Sequence, residues 1–199
     1  MKRISIHPVN PQARLVKQVA SVLEEGGLVI FPTGAGYSVG CTANSKKAIH
    51  RLYHLKRSVK KYNMALMVSD FSIVTHYAVV ETSSYRYMKD KLPGPYTFIL
   101  PATKEGKKLL DVKRKEIGIR MPKHPFYDTL SELFNEPILN TAAKLHDDDM
   151  FEHPDDIEEK FGKQVEMIVD IGEVPLSPTT IISMVNKEPE LIREGEGVF

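Results

Sequence analysis

The stretch from residue 28 to residue 61, LVIFPTGAGYSVGCTANSKKAIHRLYHLKRSVKK, constrains the fold of this chain more than any other part of the sequence. It opens with an apolar run, which is typical of a buried strand, and Pro32 predicts the end of that strand because proline cannot donate to a ladder. Three glycines follow at short spacing, Gly34, Gly36 and Gly40. Because glycine has no Cβ, this segment predicts a loop whose backbone can turn and approach a ligand closely.

A helix is predicted to follow this loop. Asn44 and Ser45 are good N-cap residues, and the apolar side chains that come next fall on one helical face. The helix ends in a cluster of cations, Lys56, Arg57, Lys60 and Lys61. No Asp or Glu occurs between residues 26 and 69, so the glycine loop lies beside a segment of purely positive charge. This combination indicates a binding site for an anion.

The rest of the chain alternates between predicted strands and helices, as α/β proteins do. Strands are expected near the N-terminus and at residues 64–68, 95–102, 116–122, 137–140, 165–170, 179–184 and 190–192. Helices are expected over residues 11–25, with Pro11 in the first position, after the cap Asp70, after the cap Thr82, and over residues 125–134. We expect one domain that spans residues 1–199.

Charge and cysteine content limit the function classes. The formal net charge is +1, so binding to nucleic acid requires local basic patches rather than bulk charge. The one cysteine excludes an internal disulfide framework, and the N-terminus lacks the apolar core of a signal peptide. No run of about 18 apolar residues could span a membrane. We therefore expect a cytoplasmic protein without a membrane partner.

One segment, residues 147–159, reverses the charge. It holds eight acidic residues and no Lys or Arg, with His146 before it and His153 within it. Carboxylates and imidazoles can ligate a metal, but this spacing matches no calcium loop. A solvated loop or an acidic helix N-terminus is the preferred interpretation, and no metal site is expected.

Several short motifs resemble the YrdC-like family. FPTGAGYSVGC is similar to that family's PT-x-x-x-Y-G-L-G-C signature, and Lys56 matches the lysine of its K-x-R motif. Five further segments follow in the family's order, PGPYTFIL, GIRMPKHP, PILNTAA, PTTIIS and LIREG. The resemblance covers nearly the whole chain and is strongest to the YciO branch, whose members are short and have one domain. It implies an α/β fold with a twisted, open, mixed sheet flanked by helices and a basic concave groove.

The resemblance also implies a reaction. Enzymatic members join threonine, bicarbonate and ATP into threonylcarbamoyl-adenylate, a step in tRNA threonylcarbamoyladenosine modification, and release pyrophosphate. The K-x-R motif and a later S-x-N motif surround the phosphates. Catalysis of this kind rests on positioning and charge neutralisation rather than on a protein nucleophile.

This chain keeps only part of that constellation. The arginine of K-x-R falls on Ser58, and the serine and asparagine of S-x-N fall on Ala142 and Lys144. Arg57 and Lys144 can replace lost cations, but a lysine does not replace a hydrogen-bonding amide. The residues expected to bind nucleotide or RNA are Thr33, Tyr37, Lys56, Arg57, Lys60, Lys61, Thr97, Arg120, Thr141, Lys144, Thr180 and Arg193.

We therefore expect a protein that binds RNA, either double-stranded RNA or tRNA, in a basic groove, with ATP or AMP as a further ligand. Binding of this kind requires no cofactor. The alternative is a threonylcarbamoyl-AMP synthase, which would require ATP and Mg²⁺. Loss of the arginine, serine and asparagine argues for weak synthase activity or none.

Ordinary structural roles remain open for several of these residues. Cations at a helix C-terminus complement the negative end of the helix dipole. Thr33 could satisfy a turn, and Tyr37 could be a core aromatic or stack on a base. Arg120 could be a surface charge, and Arg193 could form a surface ion pair with a neighbouring glutamate.

Overall fold

The structure is a computed structural model, and it describes residues 1–56, 64–110, 114–144, 151–186 and 188–199. Alternating strands and helices form the elements, as the sequence predicts. The strands are β1 (Lys2–Ser5), β2 (Val29–Thr33), β3 (Gly36–Thr42), β4 (Ala65–Met67), β5 (Tyr96–Pro101), β6 (Glu116–Arg120), β7 (Ile138–Ala142), β8 (Met167–Asp170), β9 (Thr180–Ser183) and β10 (Glu190–Arg193).

The helices connect these strands. They are α1 (Ala13–Glu24), α2 (Lys46–Leu55), α3 (Phe71–Tyr77), α4 (Thr82–Lys91), α5 (Lys104–Lys107), α6 (Pro125–Leu133) and α7 (Pro154–Phe161). The predicted caps at Ser45 and Asp70 are confirmed, since each side chain accepts a hydrogen bond from the first turn of its helix. Two other predictions are wrong. Helix α1 begins at Ala13 rather than at Pro11, and Glu81 rather than Thr82 is the N-cap of α4.

All ten strands belong to one sheet in the order β1-β8-β2-β3-β7-β4-β6-β5-β9-β10. Pairs β1·β8, β8·β2, β4·β6 and β5·β9 are parallel, and the other neighbours are antiparallel. The predicted α/β domain with an open, mixed sheet is therefore confirmed. No helix within the described ranges is long and apolar enough to cross a membrane.

The strand β3 corrects the predicted glycine loop. Residues 34 and 35 form only the turn of a hairpin, in which Thr33 pairs with Gly36, and Gly36 has a φ of +113° that favours glycine. Pro32 does not end β2 but pairs with Tyr37. A proline is tolerated there because β8 pairs with β2 only at Val29 and Ile30, so the missing N–H lies beyond that ladder.

Helices cover both faces of the sheet. On one face, α1 and α6 bury Val29 and Phe31 together with Met67 and Ile138. On the other face, α2, α3, α4 and α7 pack over the larger core cluster. Two-sided burial of this kind is usual for sheets with parallel strands.

The face under α1 and α6 continues across the central strands as a row of small residues. Gly40 lies opposite Asn140, Asn140 opposite Ala65, Ala65 opposite Gly118, and Gly118 opposite Ile99. Cross-strand partners share a face of the sheet, so these residues form one continuous floor. Asn140, Ala65, Gly118 and Ile99 of this row line the groove described next, whereas Gly40 lies against Ile138 and Asn140.

We expect the packing of α6 against the sheet to stabilise the half of this face that the helices cover. Phe126 is fully buried and stacks on Phe31 with 6.1 Å between ring centroids. Phe126→Ala should lower the free energy of unfolding by about 3–5 kcal/mol, because it leaves a cavity as well as losing apolar burial. Leu133→Ala, on the same helix but 40% exposed, should cost far less. Equal losses in urea unfolding would contradict this packing.

Candidate functional site

The groove above the small-residue floor is a cavity of about 700 Å³. Its volume lies within the range of ligand-binding clefts. Strands β3, β7, β4, β6, β5 and β9 supply the floor, and β10 supplies Arg193 at one end. Six of the residues expected from the sequence line this cavity, namely Tyr37, Thr97, Arg120, Thr141, Lys144 and Arg193.

Positive charge dominates the described lining. Five cations lie there, Arg114, Lys115, Arg120, Lys144 and Arg193, against one carboxylate, that of Glu116. All five lie within two residues of a strand terminus, while the floor between them is uncharged. The groove is therefore basic although the chain as a whole carries a charge of only +1.

Arg120 is half-buried at the C-terminal end of β6, on the groove side of that strand. Burial and then the neighbouring charge of Arg193 lower its pKa to about 10, so it remains a cation at neutral pH. No carboxylate within the described chain pairs with it. Two facing guanidinium groups without a counter-charge favour the binding of an anion.

Arg193 projects from the edge strand β10 toward β9. Its Nη2 donates to the backbone oxygen of Thr179 at 2.7 Å, and its Nε donates to the same oxygen at 3.3 Å. Within the described residues it forms no ion pair with Glu194 or Glu196, and Glu196 accepts a hydrogen bond from Ser177. Arg193 is thus oriented by a neutral acceptor and keeps its charge uncompensated.

The predicted threonines take different roles. Thr97 Oγ1 lies 2.9 Å from Thr179 Oγ1, and both residues line the groove, as Thr141 does. Thr180 does not line it, because its side chain lies on the opposite face and donates to the backbone oxygen of Gly197. Thr33 donates to the backbone oxygen of Gly36 at 2.8 Å and so satisfies the hairpin turn.

Tyr37 lines the groove but is almost fully buried. Its hydroxyl donates to the backbone oxygen of Gly172 at 2.7 Å and accepts from the backbone N–H of Ile171 at 3.2 Å. Burial raises its pKa to about 12. The hydroxyl therefore ties β3 to the segment after β8 and is not available to a ligand.

Lys56 is placed differently from the sequence expectation. It caps the C-terminal end of α2, is fully buried, and does not line the cavity. Its Nζ donates to the backbone oxygen of Ala142 at 3.0 Å and to the backbone oxygen of Lys144. Lys56 thus holds the end of β7, where the Lys144 side chain enters the groove. The cations expected beside it, Arg57, Lys60 and Lys61, lie outside the described residues.

Sequence reasoning did not assign several residues that line the groove, among them the cations Arg114 and Lys115 and the polar residues Thr179 and Asn140. Thr179 rather than Thr180 faces the groove. Both are threonines in PTTIIS, and a shift of one residue exchanges the two faces of a strand, so the sequence does not show which of them faces the groove. Asn140 lines the groove at the centre of β7, and its Nδ2 has no hydrogen-bond partner in the described structure. The segment PILNTAA contained the signal, because a buried amide within a strand requires a partner.

The acidic segment is partly described. Helix α7 begins at Pro154 with Asp155 and Asp156 in its first turn, which confirms the helix N-terminus interpretation for that part. Asp155 accepts a hydrogen bond from Arg3. Within the described ranges, no group of three or more His, Cys, Asp or Glu side chains could hold a metal ion.

The buried ammonium of Lys56 should make stability depend on pH. Burial, and then the charge of Lys144, lower its pKa from 10.5 to about 8. Between these values the unfolded chain binds the proton and the folded chain does not, so the free energy of unfolding rises with pH, by about 2–3 kcal/mol. Lys56→Met removes this rise. Urea unfolding from pH 7 to 10.5 measures it, with the exposed Lys47→Met as control.

If wild type and Lys56→Met keep a constant difference in unfolding free energy across that range, Lys56 does not titrate as its environment indicates. Lys47→Met should follow the wild type at every pH, because Lys47 is exposed on the same helix. A pH-dependent difference in that control would show that the effect belongs to α2 as a whole.

Comparison with known proteins agrees with this architecture. The family model described as "Telomere recombination", Sua5_yciO_yrdC, matches residues 21–195. YciO of Escherichia coli is 38% identical over 194 residues, which are 96% of this chain and 94% of that protein. A threonylcarbamoyl-AMP synthase of Vibrio vulnificus is 26% identical over 79% of this chain and 88% of its own length.

A crystal structure of E. coli YciO superposes with a TM-score of 0.89 at 36% identity, and the match covers 100% of this chain and 98% of that one. The agreement extends over the whole sheet rather than over one motif. The chain therefore belongs to the Sua5/YciO/YrdC family, to which threonylcarbamoyl-AMP synthases are related.

Proposed function

We propose that the groove binds RNA or a nucleotide through its phosphates and that the chain is weak or inactive as a threonylcarbamoyl-AMP synthase. The observation that carries this proposal is the charge of the groove, with five cations and one carboxylate in its described lining. Such a concave cluster of cations raises the local concentration of anionic ligands and releases counterions from RNA.

The chemistry of the cations favours phosphate. The guanidinium groups of Arg120 and Arg193 can each donate two parallel hydrogen bonds to phosphate oxygens. Neither has a carboxylate partner within the described chain, so an incoming phosphate displaces no existing ion pair. Lys144 adds a point charge at the opposite wall, where Lys56 fixes its backbone.

The weak synthase activity follows from two residues that line the groove. Ala142 and Lys144 occupy the positions of the serine and the asparagine of the S-x-N motif, and both face the cavity. Alanine has no donor, and an ammonium cannot reproduce the paired donor and acceptor of an amide. Ser58, which stands at the arginine position, lies outside the described residues.

Threonylcarbamoyl-AMP synthesis is the second candidate function. The V. vulnificus relative carries that name, and this chain keeps Arg120 and Arg193 in the lining of the groove. If ATP binds, Arg120, Arg193 and Lys144 would hold its phosphates. Mg²⁺ would be bound mainly by the phosphate oxygens of ATP, as is usual for this ion.

The first prediction from this proposal concerns salt. Binding of a short labelled RNA should weaken steeply as salt rises, and Arg120→Ala or Arg193→Ala should each weaken binding and reduce the slope of log K against log salt by about one. Fluorescence anisotropy over 50–300 mM salt, roughly the range in which counterion release is readily resolved, measures this slope.

The matched control is Lys17→Ala, which removes the same charge from an exposed position on α1 that does not line the groove. Its slope should equal that of the wild type. If all three variants lose the same affinity and slope, binding reflects overall charge, and the groove is not the RNA site.

The second prediction concerns catalysis. With ATP, threonine and bicarbonate, the wild type should release pyrophosphate at least about 100-fold more slowly than a relative with an intact S-x-N motif, because a preorganised donor is typically worth that much. Ala142→Ser combined with Lys144→Asn should raise the rate. Omission of threonine is the control for plain ATP hydrolysis.

Threonine-dependent turnover of the wild type at the rate of the intact relative would overturn the proposal of weak activity. It would also show that Ala142 and Lys144 are tolerated in a working synthase.

A further inference from the structure

The two ends of the sheet differ in how their outer strands are protected. At one end, β1 has a single apolar side chain, Ile4, which is buried. The two cations of this strand are engaged, since Lys2 donates to Gln18 at 2.6 Å and Arg3 forms ion pairs with carboxylates of α7 and β8. Charged side chains of this kind keep a sheet edge from pairing with another chain.

At the other end, β10 lacks this protection. All four of its residues are exposed, and the two apolar ones, Leu191 and Ile192, are 41% and 51% exposed. Within the described residues, the backbone of β10 pairs with β9 alone. The N–H and C=O groups that point away from β9 are therefore open to a further strand.

The four residues of β10, ELIR, are complementary to themselves in an antiparallel pair. If two copies of the strand meet about a two-fold axis between Leu191 and Ile192, Glu190 of each copy lies opposite Arg193 of the other. Leu191 of each copy then lies opposite Ile192. Opposite charges and apolar side chains at facing positions both stabilise a pair of strands.

Other arrangements of the two strands lack this match. Parallel pairing in register would place Glu190 against Glu190 and Arg193 against Arg193, and like charges at facing positions are unfavourable. An antiparallel shift of one residue would place Glu190 or Arg193 against an apolar side chain. The bulge between Leu191 and Arg193 does not disturb the two-fold register, because each copy carries it at the same place.

Both charged residues of β10 lie on the groove face of the sheet. Glu190 pairs with Ser183 and Arg193 with Ile181, which lines the groove. Ser183 lies two residues from Ile181 in β9 and so shares its face. A second copy would therefore bring its Glu190 to the edge of the groove. There it meets Arg193, whose Nη1 has no hydrogen-bond partner within the described chain.

We propose that β10 is the surface through which two copies of this chain associate, in the register that pairs Glu190 of one copy with Arg193 of the other. The two ten-stranded sheets then form one continuous sheet across the two-fold axis. Four residues from each copy make a small interface, so the association is weak and depends on protein concentration. Each groove gains one carboxylate from the other copy.

Self-association in this register opposes the binding of anions. The carboxylate of Glu190 competes with a phosphate for the guanidinium group of Arg193, and the coupling between two binding equilibria is reciprocal. An anion bound to Arg193 therefore weakens the pairing of the strands. This consequence rests on the proposed function, whereas the pairing itself does not.

The test exchanges the facing charges and measures association by sedimentation equilibrium. The wild type should associate as its concentration rises. Glu190→Arg and Arg193→Glu should each lower the association constant about tenfold, because both pairs of facing charges become alike. An equal mixture of the two variants should recover the association, since every arginine then faces a glutamate. Glu188→Arg, the same charge change at an exposed position outside the strand, is the control and should associate as the wild type does.

Two results would overturn the pairing. One is a wild type that stays monomeric up to millimolar concentration. The other is a mixture of the two variants that associates no better than either variant alone, because the strands then do not meet in this register.

The short RNA of the salt experiment tests the competition separately, since it should shift the wild type toward the monomer. If RNA binds and leaves the association unchanged, the competition is overturned and the pairing stands. If no RNA binds, the proposed function fails, and the exchange of charges still decides the pairing.

Discussion

Small residues at the centre of the sheet are the constraint on which the groove depends. Ala65 and Gly118 line the groove in one cross-strand row with Asn140, on the face that α1 and α6 cover elsewhere. Larger side chains would fill the space above these strands, as Phe31 and Met67 do under the helices. These residues have small side chains, but their backbones still form the hydrogen bonds of the sheet. The sheet therefore stays intact beneath an open cavity. The same residues therefore provide rigidity and space.

The charge of the groove arises at its borders. Arg120 is the last residue of β6 and Arg193 is the last residue of β10, so two separate strands bring these guanidinium groups near one another. Lys56 acts from behind the sheet, where its buried ammonium binds the carbonyl oxygens of Ala142 and Lys144. A cation that contacts no ligand thus fixes the strand end from which another cation enters the cavity.

The fold class could be predicted from the sequence because it depends on the overall alternation of apolar strands and amphipathic helices, which a wrong assignment of one element does not change. The sequence also predicted Arg120 on the groove side of β6, since that strand alternates regularly. It failed at β3, where glycines indicated a loop although the segment pairs on both sides in the centre of the sheet. There, pairing outweighs the intrinsic preference of glycine for turns. The prediction that Thr180 faces the groove was wrong. A shift of one residue exchanges the two faces of a strand, and the neighbouring Thr179 is the same type of residue. The burial of Lys56 could not be predicted, because its acceptors are backbone oxygens of a strand distant in sequence.

The position of β10 at the end of the sheet has a consequence for the stability of the groove. All four residues of this strand are exposed, and its pairing with β9 shifts register between Leu191 and Arg193. Edge strands with few buried contacts open locally at a lower free energy than the core does. Since Arg193 is carried by this strand, each opening of the edge removes one wall of the groove. If a ligand bridged Arg193 to the central strands, opening of this outer strand would contribute to its release, and the bound ligand would in turn slow hydrogen exchange at β10.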